Sequence, residues 1–294
     1  MSRIIIGVDA GATKTEAAAF GQSGEALAQS YGGPGNLVAA HQAAMDNILR
    51  TIRDVLPAGD AFVCVGAAGA ETGHNSALLR DFLIEALPQT HVRVMSDLRL
   101  SLYAAHRGGD GMVVIAGTGS SALAKHGSDW RRAGGWGQLL GDEGSGYHIV
   151  RAAFRRVTAQ YEANETYDAL SNTLLQHLAT DVFGAVQFFH GSSKGDIAAL
   201  MPLIAQQAQA GDIAAIGLLR GAGYDLADLA IRLYRCTGFQ QETQVRCIGS
   251  VLQRVDIVRQ AFVGRLAEQE RRIQPNLAPV YVPEGALYVY PEES

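Results

Sequence analysis

An aspartate, a glycine and two threonines follow an apolar run near the start of the chain. The run at residues 4–8 is rich in isoleucine and leads into Asp9 within the sequence IIIGVDAGATKTEAAAF. Glycine lets a backbone approach a phosphate closely, and threonine hydroxyls can donate hydrogen bonds to phosphate oxygens. A carboxylate beside such a turn would repel a phosphate unless a cation lies between them. The stretch therefore indicates a phosphate-binding turn with a metal ion, and a hairpin turn that needs glycine only for its geometry is the alternative.

A second stretch follows the same plan. The sequence MVVIAGTGSSALAKHG at 112–127 has an apolar strand, a turn rich in glycine and threonine, and a second strand of small and apolar residues. For either turn alone, a plain hairpin explains the glycines as well as a phosphate site does. Together the two turns favour a nucleotide tail held by two similar units.

Other nucleotide and nucleophile motifs fit less well. The sequence contains no GxxxxGK[ST] motif, which excludes a Walker-type site. GTGSSA at 117–122 matches the dinucleotide pattern GxGxxA, but Gly127 would break the long helix that such a site requires. GSSKG at 191–195 matches GxSxG around Ser193 but lacks the strand before it, so we expect a loop between helices there.

Four more polar residues lie next to predicted element ends or turns. Asp97 follows a predicted strand at 92–95 and precedes a helical run, so it can be a general base or a helix N-cap. Asp142 and Glu143 precede a predicted helix at 145–157, where the helix dipole favours acids. Asn36 lies in GGPGN, where an asparagine can serve as a turn residue.

The elements that must position these residues alternate in the first half of the chain. The pattern predicts strands and helices that build an α/β domain on a mixed sheet, followed by a helix-rich part. The predicted elements are a hairpin at 15–20 and 26–31, helices at 41–56 and 76–87, strands at 61–66, 92–95 and 111–117, a second hairpin after 120, and a strand at 245–250.

Composition limits the classes of function. The 294 residues are 48% hydrophobic, which is enough for two domains with cores. The formal charge is -5 and no basic run occurs, so we expect no nucleic-acid partner. Three cysteines without a CxxC pair favour reduced thiols over disulfides, zinc or an iron–sulfur cluster. We find no leader or membrane-spanning pattern and expect a cytoplasmic protein without a membrane partner.

Six motifs in one order resemble a known family. GVDAGATKT, GGPGN, SD at 96–97, VVIAGTGSS, GGWGQLLGDEGSG and CIGSV resemble the BadF/BadG/BcrA/BcrD ATPase family, and within it the N-acetylglucosamine kinases and bacterial glucosamine kinases. The resemblance covers most of the chain. It implies the duplicated, ribonuclease H-like fold of actin-like ATPases and sugar kinases, with domains at 1–116 and 117–294, ATP in the cleft between them and closure on the substrate.

The resemblance also implies roles for individual residues. Asp97 corresponds to the catalytic base and Asp9 to the aspartate that organises Mg2+. The positions that correspond to nucleotide-binding residues are Gly11, Ala12, Thr13, Lys14, Thr15, Gly117, Thr118, Gly119, Ser120, Gly221 and Gly249. The positions that correspond to sugar-binding residues are Asn36, Asp97, Ser121, Trp136, Gly137 and Asp142.

Some of these positions have ordinary alternatives. Lys14 can be a solvated surface lysine, and Trp136 can be a core or hinge tryptophan. Gly221 and Gly249 can be glycines at a helix packing point or a strand end. The role of Glu143 stays open between substrate contact and helix start.

The resemblance implies an ATP- and Mg2+-dependent kinase acting on the 6-hydroxyl of N-acetylglucosamine, and a homodimer. Animal N-acetylglucosamine kinases carry asparagine where this chain has Ser121, so glucosamine remains an alternative substrate. An ATPase activator of radical dehydratases is disfavoured because no cysteine is placed to bridge an iron–sulfur cluster. A sugar-sensing repressor is disfavoured because no helix-turn-helix precedes the first strand.

Overall fold

The computed structural model describes residues 4–38, 40–57 and 59–293, with side chains to residue 290, and divides into two compact units. Unit 1 comprises the described residues of Met1–Val113 and Pro279–Ser294, and unit 2 is Val114–Ala278. The sequence indicated a division into 1–116 and 117–294. The structure differs from that division because residues from 279 onward pack with unit 1.

Glycines explain why the last segment packs there. A Cβ on Gly7 would lie 1.9 Å from the Pro283 carbonyl oxygen, and a Cβ on Gly285 would lie 2.4 Å from the Leu100 carbonyl oxygen. Backbone therefore meets backbone at both points, which only glycine permits. The segment forms a short 3-10 helix, Val282–Gly285.

The sheet of unit 1 has five strands in the order β3-β2-β1-β4-β5. β1 pairs with β2 antiparallel and with β4 parallel, and β4 pairs with β5 parallel. Every residue of β4 is buried, as expected for a central strand. The strands are β1 (Ile4–Ala10), β2 (Thr15–Phe20), β3 (Ala26–Gly32), β4 (Ala61–Ala67) and β5 (Thr90–Ser96).

Helices cover this sheet. α1 (His41–Val55) buries Ile48 and Ile52, and α2 (Asn75–Ala86) buries Leu79 and Leu83; all four lie in one apolar cluster with Ile6 and Val8 of β1. α3 (Asp97–His106) begins directly after β5. Because β1, β4 and β5 are parallel, their carboxyl ends meet at one edge of the sheet, where Asp9 and Asp97 lie.

The second sheet has the order β10-β9-β6-β7-β8 and lies in unit 2, except for the first three residues of β6, which belong to unit 1. The predicted second hairpin is confirmed, since β7 pairs antiparallel with β8. A strand begins at Ser120, within GTGSS, where a dinucleotide site would need a helix, so the dinucleotide-binding alternative is excluded. The strands are β6 (Gly111–Ala116), β7 (Ser120–His126), β8 (Asp129–Gly134), β9 (Thr243–Ile248) and β10 (Ile273–Asn276).

Helices make up most of unit 2. The longest, α9, packs on α11, and a Cβ on Gly223 of α9 would lie 2.4 Å from the Val258 carbonyl oxygen of α11. The GSSKG segment joins α6 to α7, as expected. The helices are α4 (Gly146–Glu162), α5 (Ala169–His177), α6 (Val182–Gly191), α7 (Lys194–Ala198), α8 (Met201–Gln209), α9 (Ile213–Thr237), α10 (Ser250–Arg254) and α11 (Asp256–Gln269); α12 (Ala286–Glu293) belongs to unit 1.

Among the described helices, none combines the length and the apolar character needed to cross a bilayer.

Candidate active site

The first turn, residues 11–14 between β1 and β2, is held by backbone contacts. The Gly11 N–H donates to the Lys14 carbonyl over 2.9 Å, and the Gly35 N–H donates to the Gly11 carbonyl over 2.9 Å. The Thr15 hydroxyl is buried and donates to the Gly33 carbonyl over 2.8 Å. Thr15 therefore ties GGPGN to the first turn. Ala12 and Thr13 are exposed and remain accessible to a ligand.

Lys14 already has a partner beside the first turn. Its Nζ lies 2.7 Å from Glu16 Oε2 and 5.6 Å from the centre of the Tyr31 ring. The hydrogen bond to Glu16 raises the pKa of Lys14. The side chain is 59% exposed, which agrees with the surface-lysine alternative.

Two carboxylates lie at the carboxyl edge of the unit 1 sheet. Burial, with a smaller contribution from the Asp97 charge, raises the pKa of Asp9 to about 7. Burial also raises the pKa of Asp97, against an opposing hydrogen bond from the Leu98 N–H at 2.9 Å, and the Glu71 charge raises it further. Two desolvated acids, one of which is made harder to ionise by the charge of the other, fit a place where a cation binds.

Asp97 is not the N-cap of α3, which corrects one alternative that the sequence left open. Ser96 is the cap, and its hydroxyl accepts a hydrogen bond from the Arg99 N–H. The same hydroxyl donates to Glu71 Oε1 over 2.9 Å. Asp97 therefore occupies the first helical position, where the helix dipole favours its negative charge. Glu71 is a neighbour that the sequence did not single out.

Asn36 lies in GGPGN with its side chain partly used. Its Oδ1 accepts a hydrogen bond from the Val38 N–H over 2.9 Å, as in an Asx turn, so Asn36 fills the turn role that was the alternative to sugar contact. Within the described part of the chain, its Nδ2 makes no hydrogen bond, which leaves two donors for a ligand. A Cβ on Gly69 would lie 3.2 Å from Asn36 Oδ1, so the turn fits closely against unit 1.

The second turn, residues 117–119 between β6 and β7, is connected to the GDEGSG segment. The Gly146 N–H donates to the Gly117 carbonyl over 2.8 Å, and the Tyr147 N–H donates to the Thr118 carbonyl over 3.3 Å. The Ser120 hydroxyl donates to the Glu143 carbonyl over 2.6 Å, so it is engaged within the protein. The start of α4 and the second turn are thereby fixed together.

Asp142 is the buried acid of this segment. Its side chain is 4% exposed, and its backbone has a φ of 63°, a left-handed conformation that is uncommon for residues other than glycine. Oδ1 accepts a hydrogen bond from the Ser120 N–H over 3.1 Å. Oδ2 lies 2.6 Å from Lys194 Nζ, which forms an ion pair with it, and has no hydrogen-bond partner among the described residues.

Lys194 is the polar neighbour that sequence reasoning missed. It lies in GSSKG, which the sequence marks only as a loop between helices. Its contact with Asp142 joins residues that are far apart in the chain, and no local pattern signals such a pair.

The other predicted sugar-binding residues are Trp136 and Gly137, which shortly precede Asp142 in the chain, and Ser121. Trp136 is 62% exposed, so it is not a core residue. The guanidinium carbon of Arg132 lies 4.6 Å from the centre of the Trp136 ring. Gly137 has a φ of 85° and accepts a hydrogen bond from the Gly141 N–H over 2.9 Å. A Cβ on Gly135 would lie 2.6 Å from Ser121 Oγ, which places Ser121 against this segment.

The two predicted nucleotide glycines of the helix-rich part differ in packing. Gly249 has a φ of 96°, and a Cβ there would lie 2.3 Å from the Ala116 carbonyl oxygen, next to the second turn. Gly221 on α9 has open space at its Cβ position, so helix packing does not explain it. The Ala222 carbonyl beside it lies 2.6 Å from a Cβ built on Gly144, which places this part of α9 next to the GDEGSG segment.

Comparisons with known proteins identify the family and the fold. Residues 6–287 match the family model of the BadF/BadG/BcrA/BcrD ATPases. The chain is 27% identical over 289 residues to N-acetyl-D-glucosamine kinase of Dictyostelium discoideum, covering 90% of each protein. It is 24% identical over 240 residues to N-acetylmuramic acid/N-acetylglucosamine kinase of Clostridium acetobutylicum, covering 76% of this chain and 77% of that protein.

A solved structure has the same fold. A crystal structure from Chromobacterium violaceum, provisionally designated an N-acetylglucosamine kinase, superposes with a TM-score of 0.80 at 25% identity and covers 97% of this chain and 98% of its own. The expected α/β fold of actin-like ATPases and sugar kinases is thus confirmed. Because the family match extends from β1 into α12, the chain belongs to the BadF/BadG/BcrA/BcrD ATPase family.

Proposed function

We propose that the protein is a kinase that transfers the γ-phosphoryl group of ATP to the 6-hydroxyl of N-acetylglucosamine. The observation that carries the proposal is the pair of desolvated carboxylates, Asp9 and Asp97, at one sheet edge beside the first turn. The names of the Dictyostelium and Clostridium relatives support N-acetylglucosamine as the sugar. Glucosamine is the alternative that the test below must separate.

Asp97 is the base in this proposal. Phosphoryl transfer needs little covalent help from the protein, so the base mainly orients the attacking hydroxyl and takes its proton as the new bond forms. Burial raises the pKa of Asp97, which makes it a better proton acceptor than an ordinary exposed aspartate. The Leu98 N–H fixes Oδ1, so the carboxylate is held in one orientation.

Asp9 is the residue that would hold Mg2+. In the described residues, no group of three or more His, Cys, Asp and Glu side chains is arranged as a metal site. This fits Mg2+, which commonly binds through one or two carboxylates and takes its remaining ligands from water and phosphate. When bound, the ion would neutralise charge on the phosphate groups.

The two turns are the proposed phosphate sites. Ala12 and Thr13 of the first turn are exposed, so backbone and hydroxyl groups there can donate to phosphate oxygens. The second turn contributes its glycines and Thr118, while Gly249 and Gly221 lie on the proposed adenosine side. Among the proposed phosphate-binding residues, Lys14 has the least support, because its charge is already paired with Glu16.

Short polar side chains would bind the sugar. Asn36 offers its Nδ2 donors and Asp142 offers Oδ2, and each can exchange hydrogen bonds with neighbouring hydroxyls. Buried groups left unpaired by a wrong sugar would cost affinity, which gives selectivity. Ser121, Trp136 and Gly137 complete the proposed sugar set. A homodimer in the cytoplasm is part of the same proposal.

The test is ADP release with Mg2+ and ATP in the presence of single sugars. We expect N-acetylglucosamine to stimulate release above glucosamine, N-acetylmannosamine, N-acetylmuramic acid and glucose. Asp97→Asn should lower kcat by roughly 100- to 10,000-fold while the KM for ATP stays unchanged. Asp81→Asn, on a 65% exposed side chain of α2, is the matched control and should behave as the unaltered protein. Equal rates with and without every sugar would contradict the proposal.

A further inference from the structure

The ammonium group of Lys194 lies against both the second turn and Asp142. Its Nζ is 2.6 Å from Asp142 Oδ2. A Cβ on Gly119 would lie 2.7 Å from this Nζ and 2.8 Å from Asp142 Oδ1. The cation and the carboxylate therefore meet directly over a glycine of the second turn, where any side chain would separate them.

Local structure holds the lysine at this place. Lys194 is the first residue of α7, and Ser193 and Asp196 form a reciprocal capping box around it. The Ser193 N–H donates to Asp196 Oδ2 over 3.1 Å, and the Asp196 N–H donates to Ser193 Oγ over 3.2 Å. Asp196 is thus engaged with Ser193, and the ion pair of Lys194 is formed with Asp142.

Asp142 holds one carboxylate oxygen against the ammonium alone. The side chain is 4% exposed, and among the described residues Oδ2 has no hydrogen-bond partner besides its ion pair with Lys194. A non-glycine residue in the left-handed region is a strained arrangement that surrounding structure must maintain. A buried carboxylate oxygen of this kind can accept a hydrogen bond from a ligand hydroxyl.

We propose that Lys194 is a phosphate-binding residue that couples nucleotide binding to sugar binding. Without nucleotide, its ammonium neutralises Asp142. When a nucleoside triphosphate lies on the second turn, the ammonium turns to the phosphate oxygens, and Asp142 Oδ2 accepts a hydrogen bond from a sugar hydroxyl instead. This inference rests on the proposed kinase function and adds to it a residue and a coupling between the two ligands.

The physical properties of lysine suit this exchange. Its ammonium is a compact charge on a flexible stem, so it can change partners over a short distance, and the side chain here is 32% exposed. The carboxylate keeps a counter-ion while no phosphate is present, because an unpaired buried charge is costly. Since binding free energies are reciprocal, nucleotide should tighten sugar binding by the same factor as sugar tightens nucleotide binding.

The experiment measures binding by calorimetry with a non-hydrolysable ATP analogue, Mg2+ and N-acetylglucosamine. We expect Lys194→Met to weaken binding of the analogue by roughly 10- to 100-fold, as expected for loss of a charged hydrogen bond, and Lys194→Arg to recover part of it. The analogue should tighten sugar binding in the unaltered protein and not in Lys194→Met. Lys125→Met, on β7 of the same unit, is the matched control and should leave both affinities unchanged.

A second variant keeps the test decisive if Lys194→Met unfolds. Asp142→Asn removes the partner of Lys194, so it should bind the analogue at least as tightly as the unaltered protein while losing affinity for the sugar. The inference would be overturned if Lys194→Met bound the analogue with unchanged affinity and the analogue still tightened sugar binding. Weaker binding of the analogue by Asp142→Asn would also overturn it.

These outcomes are separable from failure of the proposed function. If the unaltered protein binds the analogue but phosphorylates no sugar, the kinase proposal fails, while the comparison of analogue affinities still decides the role of Lys194. If sugar phosphorylation proceeds and Lys194→Met binds the analogue normally, only the lysine inference fails.

Discussion

At the scale of residues, some polar side chains of the candidate site form hydrogen bonds within the protein, while their neighbours remain available to a ligand. Ser96 caps α3 and contacts Glu71, so Asp97 is released from capping. Thr15 and Ser120 direct their hydroxyls to backbone carbonyls, which removes them from the set of free phosphate donors. Residue type and spacing predicted which positions matter, but only packing shows which of these side chains remain available.

Asp9→Asn should stabilise the metal-free protein at high pH. The pKa of Asp9 is raised from 3.8 to about 7, so the folded protein disfavours the charged carboxylate and the free energy of unfolding falls as pH rises from about 4 to about 7. Asparagine avoids this loss. In EDTA at pH 8 we expect the variant to melt roughly 5 °C above the unaltered protein, with the difference shrinking towards pH 5.

The same variant should lose Mg2+-dependent activity, a trade of function for stability. Asp81→Asn serves as the control in both measurements, because its side chain is exposed on α2. A melting temperature for Asp9→Asn that equals or falls below that of the unaltered protein at pH 8 would contradict the desolvation of Asp9.

The Mg2+ requirement should depend on pH. Protons compete with the cation for Asp9, whose pKa is about 7, so the Mg2+ concentration for half-maximal rate should rise as pH falls. Below about pH 7 we expect roughly a tenfold rise per pH unit, with little change above it. Titrations of the rate with Mg2+ at pH 6, 7 and 8 measure this. A pH-independent requirement would place the cation on another residue.

At the scale of elements, glycines show where backbone must approach backbone or a ligand. α9 offers a comparison, because Gly221 has open space at its Cβ position whereas Gly223 lies against α11. The sequence could not separate these two glycines, since both lie in RGAGYDLADL. Helix packing explains Gly223, and a nucleotide remains the proposed reason for Gly221.

Gly221→Ala should therefore affect the nucleotide and not the fold. We expect a higher KM for ATP with a melting temperature equal to or slightly above that of the unaltered protein, because alanine favours helix. Gly223→Ala should lower the melting temperature, since its methyl group would lie 2.4 Å from the Val258 carbonyl oxygen. Gly217→Ala, also in open space on α9, is the control for both properties. An unchanged KM in Gly221→Ala would remove this glycine from the nucleotide site.

Gly35→Ala should displace GGPGN from the first turn. Its Cβ would lie 2.6 Å from the Ala10 Cβ and 2.8 Å from Thr15 Oγ1, so the loop that carries Asn36 must move. We expect the KM for the sugar to rise roughly tenfold or more with a smaller change in the KM for ATP. Steady-state kinetics with each substrate varied in turn give both constants. An unchanged KM for the sugar would separate Asn36 from sugar binding.

At the scale of the whole molecule, the duplicated plan was the most predictable feature. In each unit an apolar strand leads through a turn rich in glycine into a hairpin, and this order follows from local periodicity and turn residues. The assignment of residues 279–293 to unit 1 was not predictable. It depends on contacts such as Gly7 with Pro283, which join the two ends of the chain.

The candidate site, like the fold, was predictable where it depends on local sequence and not where it depends on contacts between distant residues. Motif positions such as Asp9 and Asp142 were identified from local sequence, whereas the ion pair of Asp142 with Lys194 depends on tertiary folding. Sugar identity depends on how loops such as the one carrying the exposed Trp136 meet a ligand, and such contacts have no periodic signature.

Phosphorus NMR of a reaction with ATP, Mg2+ and N-acetylglucosamine tests the central claim most directly, because it identifies where the γ-phosphoryl group goes. The account predicts a sugar phosphate whose phosphorus couples to the two protons on carbon 6, formed in step with ADP and formed roughly 100- to 10,000-fold more slowly with Asp97→Asn. Inorganic phosphate as the only product, at a rate that does not depend on the sugar, would contradict the account and indicate an ATPase.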